Sequence, residues 1–492
     1  MRPHPRFHRT RLWVPLAVAI MGAGASLGCV ALDRRPPWAT EAYARSVLQV
    51  EAAASKAPAA TGILHVGWAR LAFPLPERAP LAGYGERINR PHASSADANE
   101  ALYVRAFALE VGHRRAIIFT ADLLLIERPL ADLVRARIDA AQPGTQTFFT
   151  ASHTHSGPGG YARGKIFEMA FGTFDREILD ALAATFTRAG LLALENRAPA
   201  QFEAVEVVVD GAVANRIERN GPVDDTLVLF RFDRADGRRA ALYSFGCHPT
   251  TQSRDSLSLS ADYPGDVARA IEGVDVEVLA FAAGGVGSAE PADKDIAQRL
   301  IPKVREALRL AHPPTRQARH APRMKHTSHA HIQRVPRARE RESHLAFTRV
   351  TLPFPPVRYR FSDALMLPAP LVSLAVGFDR FDLGALVLNE AGLLFVPAEM
   401  SGELTRAARR AAHRNGFKTL AVLPFDGTYA GYVGSRRAYD LPDEAVLPLH
   451  RYETRTLSFL GPWGGDLIAN LSLRLLSGVR ARARQEPSDG GW

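Results

Sequence analysis

The chain has 492 residues, 47% of them apolar and 23% charged, fractions that exclude a disordered or fibrous protein. Its formal charge of +10 sits in two places. One is Arg2, Arg6, Arg9 and Arg11; the other is the stretch 312–345, where seven arginines and Lys325 face only Glu340 and Glu342. The remaining body is neutral, which excludes a nucleic-acid groove and leaves a basic surface suited to anionic lipid.

At the N-terminus a basic segment precedes an apolar run of 21 residues, Leu12–Leu32, followed by Asp33-Arg34-Arg35. That order satisfies the positive-inside rule and predicts export of everything downstream. The run is long enough to cross a bilayer. Ser26-Leu27-Gly28-Cys29 also resembles a lipoprotein cleavage box that would acylate Cys29, and a cleaved signal peptide is the third reading. Residues 1–35 are therefore a leader or anchor, and the protein is expected in the cell envelope at a membrane surface. The other cysteine, Cys247, lies in an apolar run, so no disulfide framework is available.

Along the body, apolar runs of strand type alternate with amphipathic stretches of helical period. Strands are predicted at Val104–Val111, Ala116–Thr120, Thr145–Thr150, Phe202–Val209, Thr226–Phe232, Ala240–Cys247, Glu277–Ala282, Ala385–Val396 and Thr419–Leu423. Helices are predicted at Pro129–Ala141, Arg176–Asn196, Asp293–Leu310, Ser401–Arg414 and Leu467–Leu476. The alternation gives an α/β fold, a mixed sheet or sheets flanked by helices. The predicted body is one large domain over 50–478. Within it, the His- and Arg-rich stretch 312–345 is read as a solvated loop, with a metal-binding tract as the lesser alternative. Residues 479–492 are read as a frayed tail.

Three strand ends carry groups that can bind a metal. Thr145–Thr150 runs into Ala151-Ser152-His153-Thr154-His155-Ser156-Gly157-Pro158-Gly159-Gly160-Tyr161. Side chains just past the carboxyl ends of strands line the functional crevice of α/β sheets. One histidine there suits a metal and the other proton transfer, although two hydrogen-bonded loop histidines fit the string equally well. Ala240–Cys247 ends at His248-Pro249-Thr250, and Ala385–Val396 ends at Pro397-Ala398-Glu399. Alone, His248 reads as a strand-end histidine and Glu399 as a first-turn acid of the next helix. Together with one histidine of the first string they form a zinc set, two imidazoles and a carboxylate, that leaves room for water.

Several ordered landmarks resemble one family, the neutral (non-lysosomal) ceramidases, in their N-terminal catalytic domain. They are Leu81-Ala82-Gly83-Tyr84-Gly85, the His153–Tyr161 string, His248-Pro249-Thr250, Pro397-Ala398-Glu399, Tyr429-Ala430-Gly431-Tyr432-Val433, Tyr452-Glu453 and Leu460-Gly461-Pro462. The resemblance covers about Ile63 to Leu476 and implies a single large ceramidase-like catalytic domain. It implies Zn²⁺ on His153, His248, Glu399 and Tyr432, with His155, Arg216 and Tyr452 around the scissile amide of a lipid-like substrate. Alternative readings are another N-acyl amide or ester as substrate, or a degenerate envelope protein that only binds.

The sequence departs from the family in three places. Where the family has a Gly-Asp-Val-Ser-Pro-like turn, this chain has Gly284-Gly285-Val286-Gly287-Ser288-Ala289-Glu290-Pro291. Aligned on Gly287 and Pro291, Glu290 takes the position of the serine nucleophile and Ser288 that of the aspartate. Either Ser288 serves after a local shift, or Glu290 acts as general base. The path from Ile217 to Val223-Asp224-Asp225 is short where the family has an insertion, and no immunoglobulin-like C-terminal domain is expected after Leu476.

Overall fold

A computed structural model describes residues 30–31, 36–94, 99–311, 342–357, 359–360, 365–367, 379–441, 445–447 and 452–485. Most of residues 1–35, the expected leader, Cys29 included, lies outside the described residues, as do 312–341 of the basic stretch. Among the described residues no helix is long and apolar enough to cross a membrane.

In chain order the first half comprises α1 (Glu41–Ser55), β1 (Ala59–Ala72), β2 (Tyr103–Val111), β3 (Arg114–Ala121), α2 (Arg128–Ala141), β4 (Thr145–Ala151), α3 (Lys165–Phe171), α4 (Arg176–Glu195), β5 (Ala198–Val208), β6 (Val213–Asn215), β7 (Thr226–Arg234) and β8 (Arg239–Phe245). The second half comprises α5 (Tyr263–Ile271), β9 (Val278–Ala283), β10 (Ala289–Pro291), α6 (Ile296–Leu310), β11 (Glu342–Pro353), β12 (Arg380–Leu388), β13 (Ala391–Val396), β14 (Glu399–Met400), α7 (Gly402–Arg414), β15 (Thr419–Pro424), β16 (Tyr432–Val433) and α8 (Gly464–Gln485). Local chemistry sets the helix starts. The Asp175 side chain accepts from Glu177 N at 2.9 Å to cap α4, and Pro129 occupies the first turn of α2.

One 12-stranded mixed sheet runs β9-β8-β7-β5-β1-β11-β12-β13-β15, with β2, β3 and β4 continuing from β1. Three pairs are parallel: β3–β4, β8–β9 and β13–β15. The rest are antiparallel, and the long β1 pairs with β11 through residues 59–63 and with β2 through 64–72. This is the mixed, helix-flanked α/β arrangement read from the sequence.

Consecutive phenylalanines show why the strands read as continuous apolar runs. Phe148 stacks on Phe395 of β13 at 4.5 Å, whereas Phe149 stacks on Phe119 and meets Phe186 of α4. Successive side chains on a strand point to opposite faces. Both are buried because one face of the sheet packs on another part of the same sheet and the other face is covered by helices. Separate clusters seat α1, α7 and α8 on β11–β13, and α5 and α6 on β7–β9. Helices therefore cover the outside of a folded-over sheet.

Several boundaries differ from the sequence reading. The single strand expected over 385–396 is a hairpin: Leu388 pairs with Ala391, and Asn389 turns at φ 56°. Asparagine tolerates this left-handed conformation, so two residues suffice for the turn. The body begins before residue 50, because α1 starts at Glu41 and packs on α8. Residues 342–345, assigned to the basic loop, open β11, with His344 opposite Thr61. The expected frayed tail from Val479 is helical as far as Gln485. Val479, Arg480 and Ala483 are buried there, and the Arg480 guanidinium donates to Asn415 O and Gly416 O and lies over the Phe417 ring. Val30 and Ala31, at the end of the N-terminal apolar run, pair with Met366 and Leu365.

Candidate metal centre and its surroundings

The parallel strand pairs direct their carboxyl ends to a common place, and the chain turns there. Beyond β4, Ser152 N bonds Ala121 O at 2.8 Å and His153 N bonds Leu123 O at 3.0 Å, with His153 at φ 68°. Beyond β8, His248 N reaches Ala289 O at 3.2 Å. Beyond β13, Glu399 enters the short β14, paired with β16 so that Glu399 lies opposite Tyr432. Chain segments far apart in sequence thereby bring His153, His248, Glu399 and Tyr432 together.

The histidine tautomers follow from their partners. His153 Nδ1 lies 2.7 Å from Leu124 O, and His248 Nδ1 lies 2.8 Å from Ala289 O. A carbonyl can only accept, so each Nδ1 carries the hydrogen. Burial, with Arg216 nearby, pushes the His248 pKa down to about 3, which keeps the ring neutral and leaves Nε2 as a lone pair. Both Nε2 atoms face one carboxylate oxygen: Glu399 Oε2 is 3.3 Å from His153 and 3.2 Å from His248. His153, His248 and Glu399 are at most 2% exposed, and none of these three atoms has a hydrogen-bond partner among the described residues. Three buried electron pairs converging on one point are costly unless a cation lies between them.

His155 completes the cluster. Ligand atoms of His153, His155 and His248 lie within 4.8 Å of one another, close enough for a triad to hold a metal ion. His155 as a residue is half-buried, but both ring nitrogens are buried and neither has a hydrogen-bond partner among the described residues. Burial, followed by the neighbouring imidazoles, holds its pKa well below the usual histidine value. It is thus a neutral base beside the cluster. Tyr84 covers it, with ring centroids 4.8 Å apart. Gly83, at φ 108°, lets the backbone lie so close that a Cβ would fall 2.8 Å from His155 Cα. The buried Arg87 donates to Ala82 O at 3.0 Å, to Ser256 O at 2.6 Å and to His155 O, tying three loops around the histidine.

Arg216 and Tyr452 also reach this region. Arg216 N bonds Ser288 O at 2.9 Å just after β6, which pairs with β10. The guanidinium donates through Nε to Glu453 Oε1 at 2.9 Å and through Nη2 to the Tyr452 hydroxyl. The Tyr432 and Tyr452 rings meet edge to face at 5.6 Å. Nearby, Gly287 passes so close to Glu399 that a Cβ would fall 2.3 Å from its carbonyl oxygen. That approach accounts for glycine in a run with no phosphate-loop signature.

The model of the neutral/alkaline non-lysosomal ceramidases, in its N-terminal part, matches residues 79–284. Over these residues the chain is similar to that family. The neutral ceramidase of Mycobacterium tuberculosis (strain ATCC 25618 / H37Rv) is 26% identical over 206 residues, 38% of this chain and 32% of that protein. The chain thus spans about a third of that curated relative. A crystal structure of neutral ceramidase from Pseudomonas aeruginosa has the same fold, with a TM-score of 0.66 at 19% identity over 87% of this chain and 76% of that one. A ceramidase complexed with C2 gives 0.63 at 18% identity, over 87% and 77%.

The two residues at the ceramidase serine turn stand apart from the histidine cluster in their contacts. Ser288 is buried, donates to Glu403 Oε2 at 2.8 Å and accepts from Gly402 N at 3.0 Å. It caps α7, a role its sequence position did not reveal because the helix comes more than a hundred residues later. Glu290 is half-buried in β10 opposite Ala214 and has no hydrogen-bond or ion-pair partner among the described residues. Sequence reasoning gave no role to Arg87, Phe425 or Tyr429. Phe425 stacks on His153 at 4.7 Å, and Tyr429 donates to Glu399 Oε1 at 2.6 Å. Tyr429 lay within a landmark string but was overshadowed by Tyr432.

Proposed function

We propose that this chain is a zinc-dependent amidohydrolase of N-acyl lipids, ceramide being the nearest substrate. The observation that carries the reading is the convergence of His153 Nε2, His248 Nε2 and Glu399 Oε2, buried and without hydrogen-bond partners among the described residues. Two imidazoles and a carboxylate are donors suited to Zn²⁺, with Tyr432 as the fourth. The ion supplies a Lewis acid able to acidify water at neutral pH. His155, neutral and without a hydrogen-bond partner among the described residues, takes a proton and returns it to the leaving amine. Arg216, oriented by Glu453 and Tyr452, directs N–H donors toward the oxyanion that develops on the carbonyl. An exported, membrane-anchored protein with a basic stretch suits a substrate that resides in a bilayer.

The direct test is metal content followed by turnover. The purified protein is expected to carry one zinc per chain and to release fatty acid from N-acylsphingosines. Zinc with ester or other N-acyl turnover alone would move the substrate class, and zinc without any turnover would leave only a binding protein.

The serine question has its own test. Ser288→Ala is expected to cost about 1 kcal/mol in urea unfolding, as lost helix caps do, and to change kcat by less than about 10-fold. Glu290→Ser is expected to leave ceramide turnover level or raise it. A folded Ser288→Ala protein with kcat down about 10³-fold, of the size expected for a lost catalytic group, would make Ser288 the nucleophile. A collapse in Glu290→Ser would make Glu290 the essential base.

A further inference from the structure

The loop from Phe425 to Gly431 joins β15 to β16 and touches the metal cluster at two points other than Tyr432. Its start is fixed from both sides. Phe425 stands at φ 77° and its N bonds Val396 O at 2.9 Å. Buried Asp426 accepts from Phe149 N at 2.9 Å and from Arg135 Nη2 at 3.3 Å. A bulky residue at positive φ is uncommon and persists where its surroundings determine it. Here the outcome is the Phe425 ring laid on His153 at an interplanar angle of 17°. The loop's end is fixed by Ala430 N on Pro397 O at 2.6 Å and by Glu399 N on Gly431 O at 3.0 Å.

These backbone bonds place the Glu399 main chain, yet a carboxylate on a fixed backbone still rotates. Its two oxygens have different surroundings. Oε1 accepts from the Tyr429 hydroxyl at 2.6 Å, whereas Oε2 faces the two Nε2 atoms. Tyr429 is itself held by the rings of Phe425, at 6.4 Å, and Phe167, at 6.3 Å. We propose that Tyr429 is a positioning residue of the metal centre: its hydroxyl holds Glu399 Oε1, so that Oε2 alone is presented beside His153 and His248. The inference rests on the zinc reading above and assigns Tyr429 no contact with substrate. Outer partners that orient ligating groups in this way typically govern metal affinity by 10–100-fold.

Zinc affinity, measured by competition with a chromophoric chelator, is the test, with thermal melting of the zinc-free protein as control. Tyr429→Phe removes one oxygen and keeps the ring. It is expected to melt with the parent and to bind zinc about 10–100-fold more weakly, with kcat falling more than KM changes. In a Glu399→Gln background the same substitution is expected to have no further effect on zinc affinity. Parental zinc affinity in Tyr429→Phe would overturn the proposal, as would an equal loss in the Glu399→Gln background, because Tyr429 would then act elsewhere. Zinc-free melting that falls in step with affinity would mark a packing role and overturn it too. A parent protein that binds no zinc overturns the metal reading itself and is seen before any variant is made.

Discussion

His153→Ala and His248→Ala are each expected to abolish stoichiometric zinc and to reduce turnover below detection. Each removes one of three convergent lone pairs and leaves only the other two and Tyr432 to hold the ion. The loss should exceed the roughly 10–100-fold typical of an outer partner, since a ligand rather than its support is gone. Neither change should unfold the protein, because both side chains are small parts of the core and the strands leading to them are fixed by their own pairings. The zinc-free variants are expected to melt no lower than the zinc-free parent: removing an imidazole removes one of three mutually unsatisfied polar atoms. Metal content by elemental analysis and melting with and without zinc check the prediction. A protein that keeps one zinc per chain through both substitutions would rule the site out.

How much of this centre was legible in the sequence depended on distance along the chain. Strand ends carrying His153, His248 and Glu399 could be read because apolar runs break at Gly- or Pro-containing turns. The geometry supplied what periodicity could not, namely that three parallel pairs end at one place. β1 was missed because Gly62, His65, Gly67 and Arg70 break its apolar pattern, although it pairs with β2, β5 and β11. The hairpin at Asn389 was missed because a two-residue turn barely interrupts an apolar run. The capping of α7 by Ser288 and the Tyr429–Glu399 bond were also out of reach. Each joins residues whose proximity is decided by tertiary packing, and serine or tyrosine alone gives no signal of it.

Arg216 offers the second large effect, and the structure allows its two roles to be separated. Its guanidinium lies 2.9 Å from Glu453 Oε1 through Nε and 2.8 Å through Nη2, with both side chains buried. Removing one partner of a buried ion pair typically costs about 3–5 kcal/mol, so Arg216→Ala is expected to unfold at markedly lower urea. Turnover should fall by about 10²–10³-fold as well, the usual consequence of losing an oxyanion donor. A lysine at this position would restore charge but not the forked donor geometry, so Arg216→Lys should recover little turnover. Adding Glu453→Gln to Arg216→Ala removes the charge left behind, and stability should then return in large part. Turnover should not return, because the donor is still missing. Urea unfolding and kcat/KM on the same preparations make the comparison, with zinc content held at one per chain. If activity recovers together with stability in the double variant, Arg216 acts only by holding Glu453 and the loop around it, and the oxyanion role passes to another donor.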